Sequence, residues 1–211
     1  MSAVHAVKKQ PSSAASSVRS GFQGAVLKSV TLGGVGAKQV SLSAPLKATV
    51  DRLAGADRST WFMSDWLTAG SFKLDPKELT KALSKPSSAK LLLGDAMMKT
   101  NDTTAADEGL DDTSLKAQAI KPGAIFSAFL KDSVQTNFTG SGYTPQDIAK
   151  WQPDIAKYKN DLRSAIGQLA HGMQKVFLVT EDNGDDTYYQ GYVAVNAKTG
   201  EVRVLENGTT G

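Results

Sequence analysis

A helical pattern of apolar residues between residues 148 and 173 constrains the fold of this chain more than any other feature. Its members recur at steps of three and four, which places all of them on one face of an α-helix. They are Ile148, Trp151, Ile155, Tyr158, Leu162, Ile166, Leu169 and Met173. The residues from Thr144 to Asp147 predict an N-cap, and Pro153 predicts a kink or break. A long helix with one apolar face must bury that face against another element.

The segment after this helix predicts a three-stranded antiparallel meander. Residues 176–180, 187–195 and 202–205 are rich in β-branched and aromatic side chains, and turn-forming Asp, Asn and Gly residues separate them. The simplest packing lays the long helix across one face of these strands. The predicted fold class is therefore α+β. It comprises several short helices and one long amphipathic helix packed on a C-terminal three-stranded antiparallel meander, with a flexible N-terminal tail.

The short helices are expected within residues 46–138. Asp75, followed by Pro76 and a glutamate at position 78, is a strong signal for a helix start. A second helix is predicted over residues 89–98 and a third over residues 125–134, where the apolar face is broad. The acidic segment between these two, residues 101–112, reads as a solvated loop. It lacks the spacing of a calcium loop, so we expect no metal site.

The first 50 residues contain six Lys or Arg, nine Ser and no Asp or Glu. This composition predicts a flexible, Ser-rich, acid-free leader over residues 1–45, with a single α+β domain over residues 46–211. Inside the leader, residues 25–43 alternate apolar and polar side chains around a glycine cluster, which predicts a hairpin. Those glycines resemble the phosphate loop of partitioning ATPases. The lysine and hydroxyl positions do not match, so a glycine turn is the interpretation.

The leader is a candidate export signal. Met1 to Val7, small and aliphatic, resembles the uncleaved N-terminus of bacterial type III secretion effectors, which are also Ser-rich and acid-poor. A mitochondrial transit peptide would carry more arginine, and a plain disordered tail is the alternative. If the resemblance holds, residues 20–50 are a candidate binding segment for a secretion chaperone, because extended segments bind by edge pairing.

Charge and composition exclude several other classes. Residues 51–211 hold 18 basic and 21 acidic residues, so the body is not a basic nucleic-acid surface. The absence of cysteine excludes disulfides and thiolate chemistry. No apolar run approaches the roughly 18 residues of a membrane span. No cofactor motif is present, so we expect no cofactor.

Three weak catalytic candidates remain. His171 ends the long helix, where a cation suits the helix dipole, and Glu181 and Asp185 flank the first turn of the meander. Carboxylates at a hairpin tip are expected to be solvated and are more typical of turns than of acid–base catalysis.

The aromatic cluster Trp61, Phe62 and Trp66 is the candidate partner-binding site. Its spacing suits one helix, whose aromatic side chains either anchor the core or present a binding patch. From the sequence we expect an exported bacterial effector-like protein that acts mainly by binding another protein. The alternatives are a non-exported, cytoplasmic binding or structural protein, such as a phage or secretion-apparatus component, and a transferase or hydrolase without a linear motif.

Overall fold

The computed structural model describes residues 28–54, 66–124, 144–182 and 187–210. In these residues seven strands form one antiparallel sheet. The strands are β1 (Ser29–Leu32), β2 (Val35–Val40), β3 (Trp66–Leu74), β4 (Lys116–Ile120), β5 (Lys175–Asp182), β6 (Thr187–Asn196) and β7 (Glu201–Thr210).

Helices pack on both faces of this sheet. They are α1 (Ala44–Ala54), α2 (Pro76–Leu83), α3 (Pro86–Met98), α4 (Pro145–Lys150) and α5 (Gln152–Ala170). A 3-10 turn, Lys99–Asn101, directly follows α3. Among the helices of the described residues, none has the length and apolar character needed to cross a membrane.

The strand order is β1-β2-β3-β7-β6-β5-β4. The N-terminal strands β1, β2 and β3 therefore meet the C-terminal strands at the pairing of β3 with β7. This pairing extends from Trp66 opposite Gly208 to Lys73 opposite Glu201. It places the N-terminal hairpin and the C-terminal strands in the same sheet.

Each face of the sheet has its own hydrophobic core. On the α5 face, α1 and α5 cover apolar side chains of the central strands, including Leu67, Tyr192 and Leu205. On the α3 face, α3 covers the side chains of opposite parity, including Phe72 and Val204. Strands alternate their side chains between faces, so the central strands are buried on both sides.

The predicted three-stranded C-terminal meander with one long amphipathic helix is wrong. The three predicted strands are present as β5, β6 and β7, but they belong to a seven-stranded sheet. The sequence interpretation missed β3 and assigned its first residues to a helix. Every residue from Leu67 to Phe72 is buried, so β3 shows a continuous buried run and no alternation of period two.

The other missed strand, β4, lies at an edge. Lys116, Gln118 and Ala119 are exposed, and its sequence contains a single β-branched residue, Ile120. Pairing with β5 forms this strand, since intrinsic preference for β structure is weak here.

The helix starts predicted at Asp75 and Thr144 are confirmed, whereas α3 begins at Pro86 and not at residue 89. The Asp75 side chain accepts hydrogen bonds from the backbone N–H groups of Lys77 and Glu78. Thr144 and Asp147 form a reciprocal capping box. Asp147 accepts hydrogen bonds from the side chain and backbone of Thr144, which hold the pKa of Asp147 below its ordinary value. The expected break is present at Trp151, between α4 and α5. The apolar pattern of residues 148–173 therefore spans two helices and not one.

The predicted hairpin is also present as β1 and β2. Gly33 and Gly34 connect the strands with φ values of 54° and 80°, as a two-residue type I′ turn requires. β2 continues the sheet by pairing with β3, with Ala37 opposite Leu74.

Gly200 and Gly172 provide a matched test of how closely the turn before β7 packs against the end of β3. Their φ values are 76° and 74°, so alanine is strained at both positions by about 1–2 kcal/mol. A Cβ at Gly200 would collide with the Leu74 carbonyl oxygen, whereas nothing lies within 4 Å of one at Gly172. We expect Gly200→Ala to lower the free energy of unfolding by about 1–3 kcal/mol more than Gly172→Ala in urea denaturation. Equal effects would contradict the close approach of β7 to the end of β3.

Candidate functional site

The structure places only part of the predicted partner-binding cluster. Trp61 and Phe62 lie outside the described residues, while Trp66 is the first residue of β3 and pairs with Gly208. The predicted helix over residues 125–134 also lies outside them. The partner-binding role of the aromatic cluster therefore stays a prediction.

The structure separates the two described catalytic candidates. His171 is exposed just after α5, and its carbonyl accepts a hydrogen bond of 2.8 Å from Arg203. Glu181 lies at the other end of β5, six residues beyond Lys175 and therefore about 20 Å along the strand. These two residues cannot act on one substrate atom. Asp185, the third candidate, lies outside the described residues.

Glu181 belongs to a group of polar residues buried in the sheet, and it is not solvated as its position near a turn suggested. Toward this end of the sheet the inward-facing side chains of the central strands change from apolar to polar. The members that are at most 2% exposed are Thr68, Glu181, Gln190, Glu206 and Asn207. We call these five residues the polar end. Burying such groups is unfavourable unless hydrogen bonds compensate, so their partners decide their role.

Glu206 forms the most connected part of the polar end. Its Oε2 atom lies 2.6 Å from the Thr68 hydroxyl and accepts a 2.9 Å hydrogen bond from the Asn101 amide. The Thr100 hydroxyl lies 3.4 Å from the same oxygen and 2.6 Å from the Thr68 hydroxyl. Since Thr68 is directly opposite Glu206 in the register, this carboxylate ties β7 to β3 and to the turn after α3.

Tyr189 lies next to this network on the same face of the sheet. Its hydroxyl donates a 3.0 Å hydrogen bond to Glu108, which belongs to the acidic segment of residues 101–112. Burial raises the pKa of the Tyr189 phenol, and the carboxylates of Glu108, Glu206 and Glu181 raise it further. The phenol therefore stays protonated at neutral pH, where it serves as a hydrogen-bond donor and not as a base or nucleophile.

The acidic segment is more ordered than a solvated loop. Ala105 and Leu110 are buried at 3% exposure each. Asp111 accepts hydrogen bonds from the hydroxyl and backbone of Thr113 and the backbone of Ser114, which lower its pKa. These carboxylates serve local turns. Within the described parts of the chain, no three His, Asp or Glu side chains are grouped closely enough to hold a metal ion.

The opposite face of the polar end holds an amide pair. Asn207 lies opposite Gln190 in the register of β7 and β6. Among the residues that the structure describes, neither atom of the Asn207 amide has a hydrogen-bond partner, and the Gln190 amide nitrogen has none either. Such groups lower stability unless a bound water satisfies them.

The hydrogen bonds of the described residues thus make the polar end a structural network. Glu206 accepts hydrogen bonds from β3 and from the turn after α3, Tyr189 keeps its proton, and His171 is remote from both. This network was difficult to predict from the sequence, because Thr68 and Glu206 are 138 residues apart. The available signal was an acidic residue and an amide at the end of an apolar strand pattern on β7.

Comparison with known proteins identifies no relative. The sequence matches no protein-family model, and neither curated proteins nor solved structures show significant similarity to it.

Replacing Thr68 tests the structural role of the network. Thr68→Val keeps the volume but removes the donor closest to Glu206, so we expect a loss of about 1–3 kcal/mol in the free energy of unfolding. Thr31→Val is the matched control, because Thr31 is exposed on a strand and should change stability by less than about 0.5 kcal/mol. Similar values for the two variants in urea denaturation would show that the hydroxyl is dispensable.

Glu108→Gln tests the electrostatic environment of Tyr189. Removing this charge should move the ionisation of Tyr189 to lower pH, while Asp107→Asn, at the neighbouring position, should not. NMR of ring-labelled tyrosine follows the titration, and Tyr189→Phe assigns the signal. Because the folded pKa is raised, its contribution to stability is complete below the ordinary value of 10.0 and is lost as the pH rises above it. Ionisation of Tyr189 near pH 10 in the wild type would contradict the buried site.

Proposed function

We propose that this chain acts by binding another protein and that it is an exported bacterial effector-like protein. The observation that supports it best is the edge strand β1, which lies within the acid-free first 50 residues. β1 is at one end of the strand order and has no partner on its outer side among the described residues. Such an edge is a template for strand addition by another chain.

The backbone of β1 presents defined groups at this edge. The two-residue turn makes Leu32 and Val35 a hydrogen-bonded pair, and Gln39 donates to the Lys28 carbonyl at 2.9 Å. Pairing alternates along an antiparallel ladder, so Ser29 and Thr31 direct their N–H and C=O groups outward. Their side chains are exposed, which leaves room for a partner strand.

A secretion chaperone is the partner that we propose for this edge. The proposed chaperone segment, residues 20–50, includes β1, and a strand added there would extend the sheet at its β1 edge. Strand addition uses main-chain hydrogen bonds, so it requires no sequence motif.

The contacts of the described residues support binding over catalysis. An enzyme using His171 and Glu181 would need both at one site, and they lie at opposite ends of β5. In the polar end, the hydrogen bond between Glu206 and Thr68 links β7 to β3 and stabilises the fold. A non-exported binding protein shares this geometry, and export distinguishes it from the effector.

Export of the full chain tests the proposal. A short epitope at the C-terminus reports secretion from a bacterial host with and without a functional type III apparatus. We expect apparatus-dependent export, and we expect Thr31→Pro to reduce it several-fold, because proline removes an outward N–H at the edge. Thr31→Val keeps that N–H and should be exported like the wild type.

Two outcomes would contradict the proposal in different parts, and a third measurement controls for folding. Retention of the wild type in both hosts would rule out export through this apparatus. Equal export of Thr31→Pro and Thr31→Val would rule out docking at β1. A lowered melting temperature in Thr31→Pro would assign its defect to folding, so the melting temperatures of both variants are measured first.

A further inference from the structure

A groove between α2 and the turn joining β6 to β7 combines an apolar floor with three lysines. Its volume is about 480 Å³. It is lined by Pro76, Lys77, Thr80, Lys81, Ser84, Ala197 and Lys198. Among the residues that the structure describes, no acidic side chain lines it, although the body of the chain from residue 51 onward carries more acidic than basic residues.

The groove is built by well-anchored backbone. Asp75 caps α2, and the Thr80 hydroxyl donates 2.8 Å to the Pro76 carbonyl. On the other wall, the backbone N–H of Ala197 donates 3.0 Å to the Gln174 side chain. Close packing of Gly200 against Leu74 holds this turn beside the start of α2. The walls are therefore preformed, which reduces the entropy lost when a ligand binds.

Lys77 is placed unfavourably for the free protein, whereas Lys81 lies in the last turn of α2, where the helix dipole favours a cation. Lys77 and Lys81 are four residues apart on one helix face, where like charges repel. Lys77 also lies in the first turn of α2, at the positive end of the helix dipole. The ion pairs of the described residues use other side chains, and Lys77, Lys81 and Lys198 are exposed. An anionic ligand would remove this repulsion.

We propose that this groove binds a short acidic segment of a partner protein, with carboxylates on Lys77, Lys81 and Lys198 and one apolar side chain against the floor. This assignment rests on the proposal that the chain acts by binding another protein, and it names the chemistry of that partner. A peptide fits better than a nucleic acid. In the described part of the chain the groove has no aromatic side chain for base stacking, and the acidic body repels a polyanion that extends beyond the lysines.

Fluorescence anisotropy with defined probes tests the groove on the full chain. The first probe is a labelled peptide of about ten residues in which Glu and Leu alternate, and the second replaces each Glu with Gln. The third is a single-stranded oligonucleotide of similar length. We expect the Glu peptide to bind with an affinity that falls as salt is raised, and the other two to bind at least about tenfold more weakly.

Charge reversal locates the binding. Lys77→Glu/Lys81→Glu should weaken the Glu peptide by about tenfold or more. Lys116→Glu/Lys121→Glu makes the same change in net charge at exposed positions outside the groove and should weaken it far less. Matching circular dichroism spectra and melting temperatures of the two double variants establish that both are folded.

Several outcomes would overturn the assignment. They are no binding of the Glu peptide, equal loss in both double variants, and tighter binding of the oligonucleotide than of the Glu peptide. Concentration-dependent self-association that Lys77→Glu/Lys81→Glu abolishes would assign the groove to a second copy of this chain and also overturn it. Binding of the Gln peptide with equal affinity in all variants would refute the acidic partner while leaving protein binding in place. The export measurement is independent of all these results.

Discussion

The pairing of β3 with β7 is the interaction on which the rest of the structure depends. These strands lie far apart in the sequence, yet they share eight consecutive residue pairs in the middle of the sheet. Without this pairing, the N-terminal hairpin and β3 would be separated from the meander of β5, β6 and β7. The two pieces would be a three-stranded sheet, β1-β2-β3, and a four-stranded sheet, β7-β6-β5-β4, and both hydrophobic cores would be divided between them. The pairing also adds β3 side chains to both hydrophobic cores, since Leu67 and Phe72 contribute to opposite faces of the sheet.

The polar end is explained by this same junction. Glu206 lies directly opposite Thr68, and its carboxylate also reaches the turn after α3 through Asn101. A buried carboxylate is unfavourable in isolation, but hydrogen bonds from Thr68 on β3 and from Asn101 in the turn after α3 compensate it here. An apolar contact would allow neighbouring registers of β3 on β7, whereas this geometry is satisfied in one register. The polar end, which most resembles an active site, is therefore better understood as the group of residues that sets the register of β3 on β7.

Local signals in the sequence predicted local structure well. Asp75 and Thr144 marked helix starts because capping needs only neighbouring residues, and the Gly33–Gly34 turn followed from its own backbone requirements. The position of β3 could not be predicted in the same way, because burial on both faces removes the alternation that identifies a strand. The Glu206 network was equally hidden, since its members come from distant segments. The spacing of Lys77 and Lys81 was readable, but its meaning required Lys198, which the fold brings to the same groove.

Native-state hydrogen exchange in increasing denaturant measures the central claim that one sheet unites the two ends of the chain. If β3 and β7 close a single cooperative sheet, the amides of Phe72 on β3 and Val193 on β6 exchange with the same free energy, equal to that of global unfolding. If Phe72 and the β1–β2 hairpin instead exchange with a distinctly lower free energy while Val193 stays protected, the N-terminal strands form a separate unit and the account is contradicted.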